Sequence, residues 1–128
     1  MFKNILVPFD HSDPAERALQ SAIELVAPGG TITLLEATSG ISPNAAAEAE
    51  KSLKEIAEGA QDTTEKDITF KIQIMVGLPA PSVVKYAKSA DVELIVMGRR
   101  GLSAVRSMLG SVSQRVVKEV ELPVLLIK

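Results

Sequence analysis

The sequence predicts an α/β domain, residues 1–128, built on a five-stranded parallel sheet of order 3-2-1-4-5 with helices on both faces. Three observations carry this. Short apolar runs alternate strictly with segments of helical periodicity from one end of the chain to the other. Each intervening segment is long enough for a right-handed crossover. The run Val92 to Met97 is apolar apart from Glu93, the composition of a central strand buried on both faces. At 128 residues the chain falls within the ~100 to 200 typical of one domain.

Phe2 to Phe9 reads as the first strand, ending where Asp10-His11-Ser12 supplies turn chemistry. Asp13 is the expected cap of the first helix, with Pro14 at its first position and Glu16 at capping-box spacing. Ala15, Ala18, Leu19, Ala22, Ile23 and Val26 share one helical face, and Pro28-Gly29-Gly30 is the expected stop. Thr31 to Ala37 is a second strand, and Pro43 opens a second helix. Its stripe of small residues (Ala46, Ala49, Leu53, Ile56, Ala57, Ala60) predicts only light cover of the sheet. After a loop from Gln61 to Asp67, Ile68, Phe70, Ile72 and Ile74 alternate with polar residues, as in a strand near an edge. A third helix is expected from about Pro81 to Ser89, with Val84 and Ala87 inward. Val92 to Met97 follows as the fourth strand. Ser111 to Val120 forms the last helix, with Val112, Val116, Val117 and Val120 on one side, and Pro123 to Ile127 is a terminal strand.

Composition removes several classes of function. With no cysteine there is no disulfide, thiolate metal site or cysteine nucleophile, and the single histidine, His11, has no partner for a transition metal. Met1 leads directly into Ile5-Leu6-Val7 without a signal-peptide pattern, and no apolar stretch approaches the ~20 residues of a membrane span. A cytoplasmic location without membrane contact is expected. The net charge of −2 is too small a field to hold a nucleic-acid backbone. Its distribution is uneven: Gly98 to Arg115 holds Arg99, Arg100, Arg106 and Arg115 and no acid.

In an open parallel sheet of this order, winding reverses between the first and fourth strands, and ligands bind outside their carboxyl ends. Those ends are Pro8 to Ser12 and Met97 to Gly101. Gly98-Arg99-Arg100-Gly101 leaves the fourth strand and Gly110-Ser111-Val112-Ser113 opens the last helix, so a phosphate there would meet free amides, the helix dipole and hydroxyls. Neither G-x4-G-K-[ST] nor G-x-G-x-x-G is present. Glycines after a strand also serve as plain turn formers, and Arg99 and Arg100 read equally as solvated loop charges or as steering charges. Asp10 is favoured as a ligand residue because it lies at the reversal. His11 is expected as a turn residue near the ligand, and Met97 and Tyr86 as packing residues.

These segments resemble the universal stress protein family over nearly the whole chain. The resemblance is carried by Ile5-Leu6-Val7-Pro8-Phe9-Asp10-His11-Ser12, Val76-Gly77-Leu78-Pro79, Asp91 to Gly98, Gly110-Ser111-Val112-Ser113 and Leu122 to Ile127. It implies a Rossmann-like fold of the adenine nucleotide alpha hydrolase type. It also implies an adenine nucleotide as ligand: ATP first, with ADP, AMP and cyclic AMP as the smaller candidates, accompanied by magnesium. By position it implies Pro8 and Asp10 beside the adenine, Ala37 near the base, Met97 and Gly98 under the ribose, and Gly101, Gly110, Ser111, Val112 and Ser113 around phosphates; Arg100 joins the candidate site as a steering charge. Members that bind ATP carry G-x2-G-x9-G-[ST]. Here eight residues separate Gly101 from Gly110, and one residue fewer shortens the path by up to ~3.5 Å.

The apolar terminal strand, Val124 to Ile127, is an edge that a second copy of the chain would cover, and many relatives pair this way, so a homodimer is expected. The leading functional expectation is a nucleotide-binding stress or signalling module. A slow ATPase is the first alternative, weakened by the lack of an evident general base and of paired carboxylates beyond Asp10. A dimeric scaffold that does not bind nucleotide is the second.

Overall fold

The computed structural model describes residues 1–40, 42–100 and 110–128. Its strands are β1 (Phe2–Pro8), β2 (Val26–Thr38), β3 (Thr69–Val76), β4 (Leu94–Gly98) and β5 (Val124–Ile127). Between them run α1 (Asp13–Leu25), α2 (Ala45–Gln61), α3 (Pro79–Ser89) and α4 (Ser111–Glu119). All strand pairings are parallel and the sheet order is β3-β2-β1-β4-β5, the predicted one. No helix among the described residues is long and apolar enough to cross a membrane.

Alternation along the central strands divides the core into two layers. Ile5, Val7, Leu94 and Val96 face α1 and α2, joining Ala18, Leu19, Ile23 and Leu53. Leu6, Ile95 and Met97 face α3 and α4, joining Val83, Val84, Ala87 and Val116. A strand covered on both faces has no polar position to spare, which is why β4 reads as one apolar run. On α2, Ala49, Leu53, Ala57 and Ala60 are buried but Ala46 is exposed, so the contact is shorter than its stripe of small residues implied. On α4, Val116 is fully buried while Val117 is 47% exposed, and only part of that valine face meets the sheet.

The boundaries differ from expectation where tertiary contacts override local signals. The α1 cap is Ser12, whose Oγ accepts from Ala15 N at 3.2 Å, so Asp13 is the first helical residue and Pro14 the second. Helix α2 starts at Ala45 behind Asn44 rather than at Pro43, and α3 starts at Pro79 rather than Pro81. A proline is tolerated throughout a first turn, where no intrahelical donor is missed. Strand β1 ends at Pro8, and β4 runs from Leu94 to Gly98 rather than from Val92.

The largest difference concerns Pro28-Gly29-Gly30. Helix α1 stops before it, at Leu25, and Val26 turns into extended backbone to pair with Phe2. The Pro-Gly-Gly segment is therefore an irregularity inside β2, with the register passing from Phe2↔Val26 to Asn4↔Thr31. Gly30 is required there because a Cβ would sit 2.9 Å from the Lys3 carbonyl oxygen. The helix ends without a glycine because Lys66 closes it: its Nζ donates to the carbonyls of Ile23, Glu24 and Val26 at 2.8, 2.8 and 2.9 Å. A cation at this end also opposes the helix dipole.

Glu93, the interruption in the fourth apolar run, latches the opposite end of the β1–β4 joint. Its Oε1 accepts from the backbone N–H of Lys3 at 2.6 Å and of Asn4 at 2.8 Å, while its own N–H donates to Asn4 O at 2.9 Å. These two backbone donors hold the carboxyl below its ordinary pKa. A depressed folded pKa means that the latch contributes fully above the unfolded value and is lost as pH falls through the folded one. Urea midpoints of wild type and Glu93→Gln should therefore differ at neutral pH and converge on acidification. A difference that does not change with pH would contradict the latch.

Candidate functional site

The carboxyl ends of β1, β2 and β4 meet at the winding reversal. Beyond Pro8, Phe9 donates its N–H to Leu35 O at 2.8 Å and buries its ring, which ties the chain leaving β1 to β2. Asp10 Oδ1 then accepts from Ser12 N at 3.0 Å, His11 takes a positive φ of 66°, and Ser12 caps α1. This turn is thus fixed largely by its own side chains. At the end of β2, Glu36 Oε1 lies 2.7 Å from His11 Nε2.

On the β4 side, Gly98 allows the start of α1 to close onto the sheet, since a Cβ there would stand 2.8 Å from Pro14 Cβ. Arg99 donates its N–H to Ile127 O at 2.7 Å, and Gly110 donates to Arg99 O at 2.8 Å. The connection from β4 to α4 therefore leaves and returns at one point. Ser113, only 1% exposed, secures that point: its Oγ is 2.6 Å from Arg99 O and 3.0 Å from Gly110 O. A hydroxyl has one proton to donate, so in this arrangement Ser113 serves the protein's own carbonyls rather than an incoming anion. The residue acts here as a staple for the loop base, a role its sequence position did not suggest.

Helix α4 begins differently from α1. Its cap is Gly110, in extended conformation, which has no side chain to accept from the first amides, and among the described residues no side-chain cap bond is made. Among the described residues the start of α4 thus carries N–H groups without a side-chain acceptor, together with the positive end of the helix dipole. Nearby, Arg100 buries its Nε without a hydrogen-bond partner among the described residues.

A cavity of about 460 Å³ lies at this junction, within the size range of small-molecule sites. Pro8, Asp10, Ala37, Met97 and Gly98 line it on the strand side, and Arg100, Gly110, Ser111, Val112 and Ser113 on the helix side. The fold thus brings ten of the sequence-predicted positions into one wall. Gly101 and Arg106 lie outside the described residues. Sequence reasoning missed Leu35, Glu36, Pro79 and Val83, which also line the cavity. Glu36 had a signal: it is the acid that follows Leu34-Leu35 at the end of the second strand, beside the reversal. Pro79 and Val83 had none, because they enter through the packing of α3 behind the crevice.

The cavity is polarised. Carboxylates of Asp10 and Glu36 stand at the β1 and β2 ends, and Arg100 with the open start of α4 stands at the β4 end. A doubly covered parallel sheet with such a crevice at its reversal defines a small-ligand-binding α/β protein, suited to a ligand with an anionic end and a neutral, donor-bearing end. The chain belongs to the universal stress protein family, whose model matches residues 1–128. It is 36% identical over 138 residues to a universal stress protein of Thermus aquaticus, with 100% of both chains covered. The solved structure of MJ0577, a protein of Methanocaldococcus jannaschii, is 29% identical with a TM-score of 0.86 and covers 100% of this chain and 96% of that one. A universal stress protein solved in complex with cAMP is 25% identical with a TM-score of 0.75, covering 98% of this chain and 96% of the other.

Removing the staple should loosen the loop base. Ser113→Ala is expected to lower stability by about 1 to 3 kcal/mol, the range for leaving buried polar groups unsatisfied. Urea denaturation of the variant measures this, and an unchanged midpoint would show that the hydroxyl is dispensable.

Proposed function

We propose that this chain is an adenine-nucleotide-binding module of the universal stress protein type, with ATP as the first candidate ligand and ADP, AMP and cyclic AMP as its competitors. The observation that carries the reading is the open start of α4, which faces the same cavity as the apolar and acidic ends of β1 and β2. Phosphates sit against the amides of Ser111, Val112 and Ser113 and near the guanidinium of Arg100, where dipole, amides and charge act together. The base and ribose occupy the hollow beside Pro8, Asp10, Ala37, Met97 and Gly98. The relative in complex with cAMP supports a cyclic, singly phosphorylated adenine nucleotide among these candidates. Micromolar affinity requires only about 8 kcal/mol, within reach of several amide–phosphate contacts and a base pocket.

The role is binding rather than turnover. Asp10 directs one carboxylate oxygen at its own turn, so magnesium arriving with ATP would be held chiefly by the nucleotide's phosphates, with the other Asp10 oxygen within the same cavity. Calorimetric titration with ATP, ADP, AMP and cyclic AMP, with and without magnesium, ranks the ligands. Gly110→Asp tests the phosphate seat. The new carboxylate would cap α4, changing stability by only a few tenths of a kcal/mol, while competing with phosphate and repelling it. Affinity should fall at least about tenfold, which corresponds to ~1.4 kcal/mol. Unchanged affinity would place the phosphates elsewhere.

The module acts as a homodimer joined through β5. That strand ends the sheet, and Leu125 on it is 38% exposed. An apolar sheet edge of this kind is a pairing surface. Sedimentation at micromolar concentration should show a dimer that Leu125→Lys converts to monomer. A wild type that is monomeric throughout removes the pairing.

A further inference from the structure

The contact between His11 and Glu36 has no part in the binding mode described so far. His11 is the one non-glycine residue with positive φ among the described residues, a conformation that a Cβ disfavours. Two contacts hold it there. Its ring meets Phe9 edge to face, with centroids 5.0 Å apart and planes at 81°, and its Nε2 lies 2.7 Å from Glu36 Oε1. An imidazole can donate Nε2–H to a carboxylate whether the ring is neutral or charged, so the contact does not require a particular protonation state. The histidine side chain is 41% exposed and the glutamate 19%, which places the acid as the inner member of the pair.

Glu36 is an unusual residue for its place. It follows four buried residues of β2, Ile32 to Leu35, and its strand neighbour across β3 is the apolar Ile74. One carboxylate oxygen is held by His11, and the described residues provide no hydrogen-bond partner for the other. Both residues line the cavity, at the end opposite Arg100 and α4. A carboxylate there repels phosphate and accepts N–H or O–H donors, which orients a nucleotide with its nucleoside half toward β2. Asp10 is less suited to this task, since its Oδ1 already closes the β1–α1 turn.

We propose that Glu36 is the nucleoside-reading residue of the cavity, its second oxygen accepting a hydrogen bond from the base amine or a ribose hydroxyl, and that His11 is the positioning residue that holds the carboxylate. The inference rests on the nucleotide reading above and adds a source of selectivity to it. A partly desolvated acceptor discriminates strongly, because a ligand lacking the donor leaves it unpaired.

The test compares dissociation constants for ATP, 2′-deoxy-ATP, 3′-deoxy-ATP and purine riboside triphosphate, which lacks the 6-amino group. Each is titrated into wild type, Glu36→Ala, Glu36→Gln and His11→Gly. Wild type should bind one analogue about tenfold or more weakly than ATP, and Glu36→Ala should bind that analogue and ATP alike. The analogue that behaves this way identifies the donor as base amine or ribose hydroxyl. Glu36→Gln, which keeps the shape and one acceptor, should retain part of the discrimination. His11→Gly removes the backbone strain, so its thermal midpoint should match or exceed wild type while its discrimination falls. Equal discrimination by wild type and Glu36→Ala, or none by wild type, overturns the role of Glu36 and leaves nucleotide binding intact. Failure of wild type to bind any of ATP, ADP, AMP and cyclic AMP overturns the binding reading itself.

Discussion

Everything in this molecule hangs on the junction between β1 and β4, two strands far apart in sequence and paired through only two residue positions, Ile5↔Leu94 and Leu6↔Ile95. From this joint the chain winds outward both ways, to β2 and β3 on one side and to β5 on the other. Crossovers on the two sides pass over opposite faces, so the carboxyl ends of β1 and β4 are left without a connection covering them. The joint is short but closed at both ends. Glu93 satisfies the amides of Lys3 and Asn4 below it, and Gly98 lets Pro14 close above it. Between them Leu6 and Ile95 are wholly buried. Stability and the binding crevice therefore come from one feature of the topology.

Two helices begin at this crevice, and the fold treats them in opposite ways. Helix α1 is satisfied from within: Ser12 accepts its amide, and Asp10 fixes the preceding turn. Helix α4 begins at a glycine that offers no side chain, while the buried hydroxyl of Ser113 points back to the carbonyls of Arg99 and Gly110. The staple that rigidifies the loop base spends the Ser113 hydroxyl on these carbonyls, and the first amides of α4 are the phosphate seat of the proposed binding mode. Preorganised donors of this kind need no rearrangement when an anion arrives, which is where their affinity comes from.

The architecture was legible because its signals are repetitive. Apolar runs of two periods fixed which segments are strands and helices, and the apolar composition of Val92 to Met97 identified a central strand before any pairing was known. Once the sheet order is right, the reversal rule alone puts Pro8, Asp10, Gly98 and Gly110 together. What was not legible depends on partners distant in sequence. Pro28-Gly29-Gly30 looks like a helix stop, yet Lys66, some forty residues away, ends the helix earlier and frees the segment to extend β2. Glu93 looked like a blemish in a strand and is its latch. Ser113 read as a residue around phosphates, and the bonds of its hydroxyl to the Arg99 and Gly110 carbonyls could not be foreseen from its position. Glu36 was passed over because one acid at the end of a strand gains meaning only when His11 is seen beside it.

The central claim is that the amides opening α4 seat the phosphates of a nucleotide. Titrating ATP into isotopically labelled protein and following backbone amide resonances by NMR tests it at single-residue resolution. The account predicts that the largest saturable shifts fall on Ser111, Val112 and Ser113, with smaller ones on Asp10, Ala37 and Gly98. Saturable binding that leaves those three amides unmoved, or no saturable shift anywhere in the crevice at millimolar ATP, would contradict it.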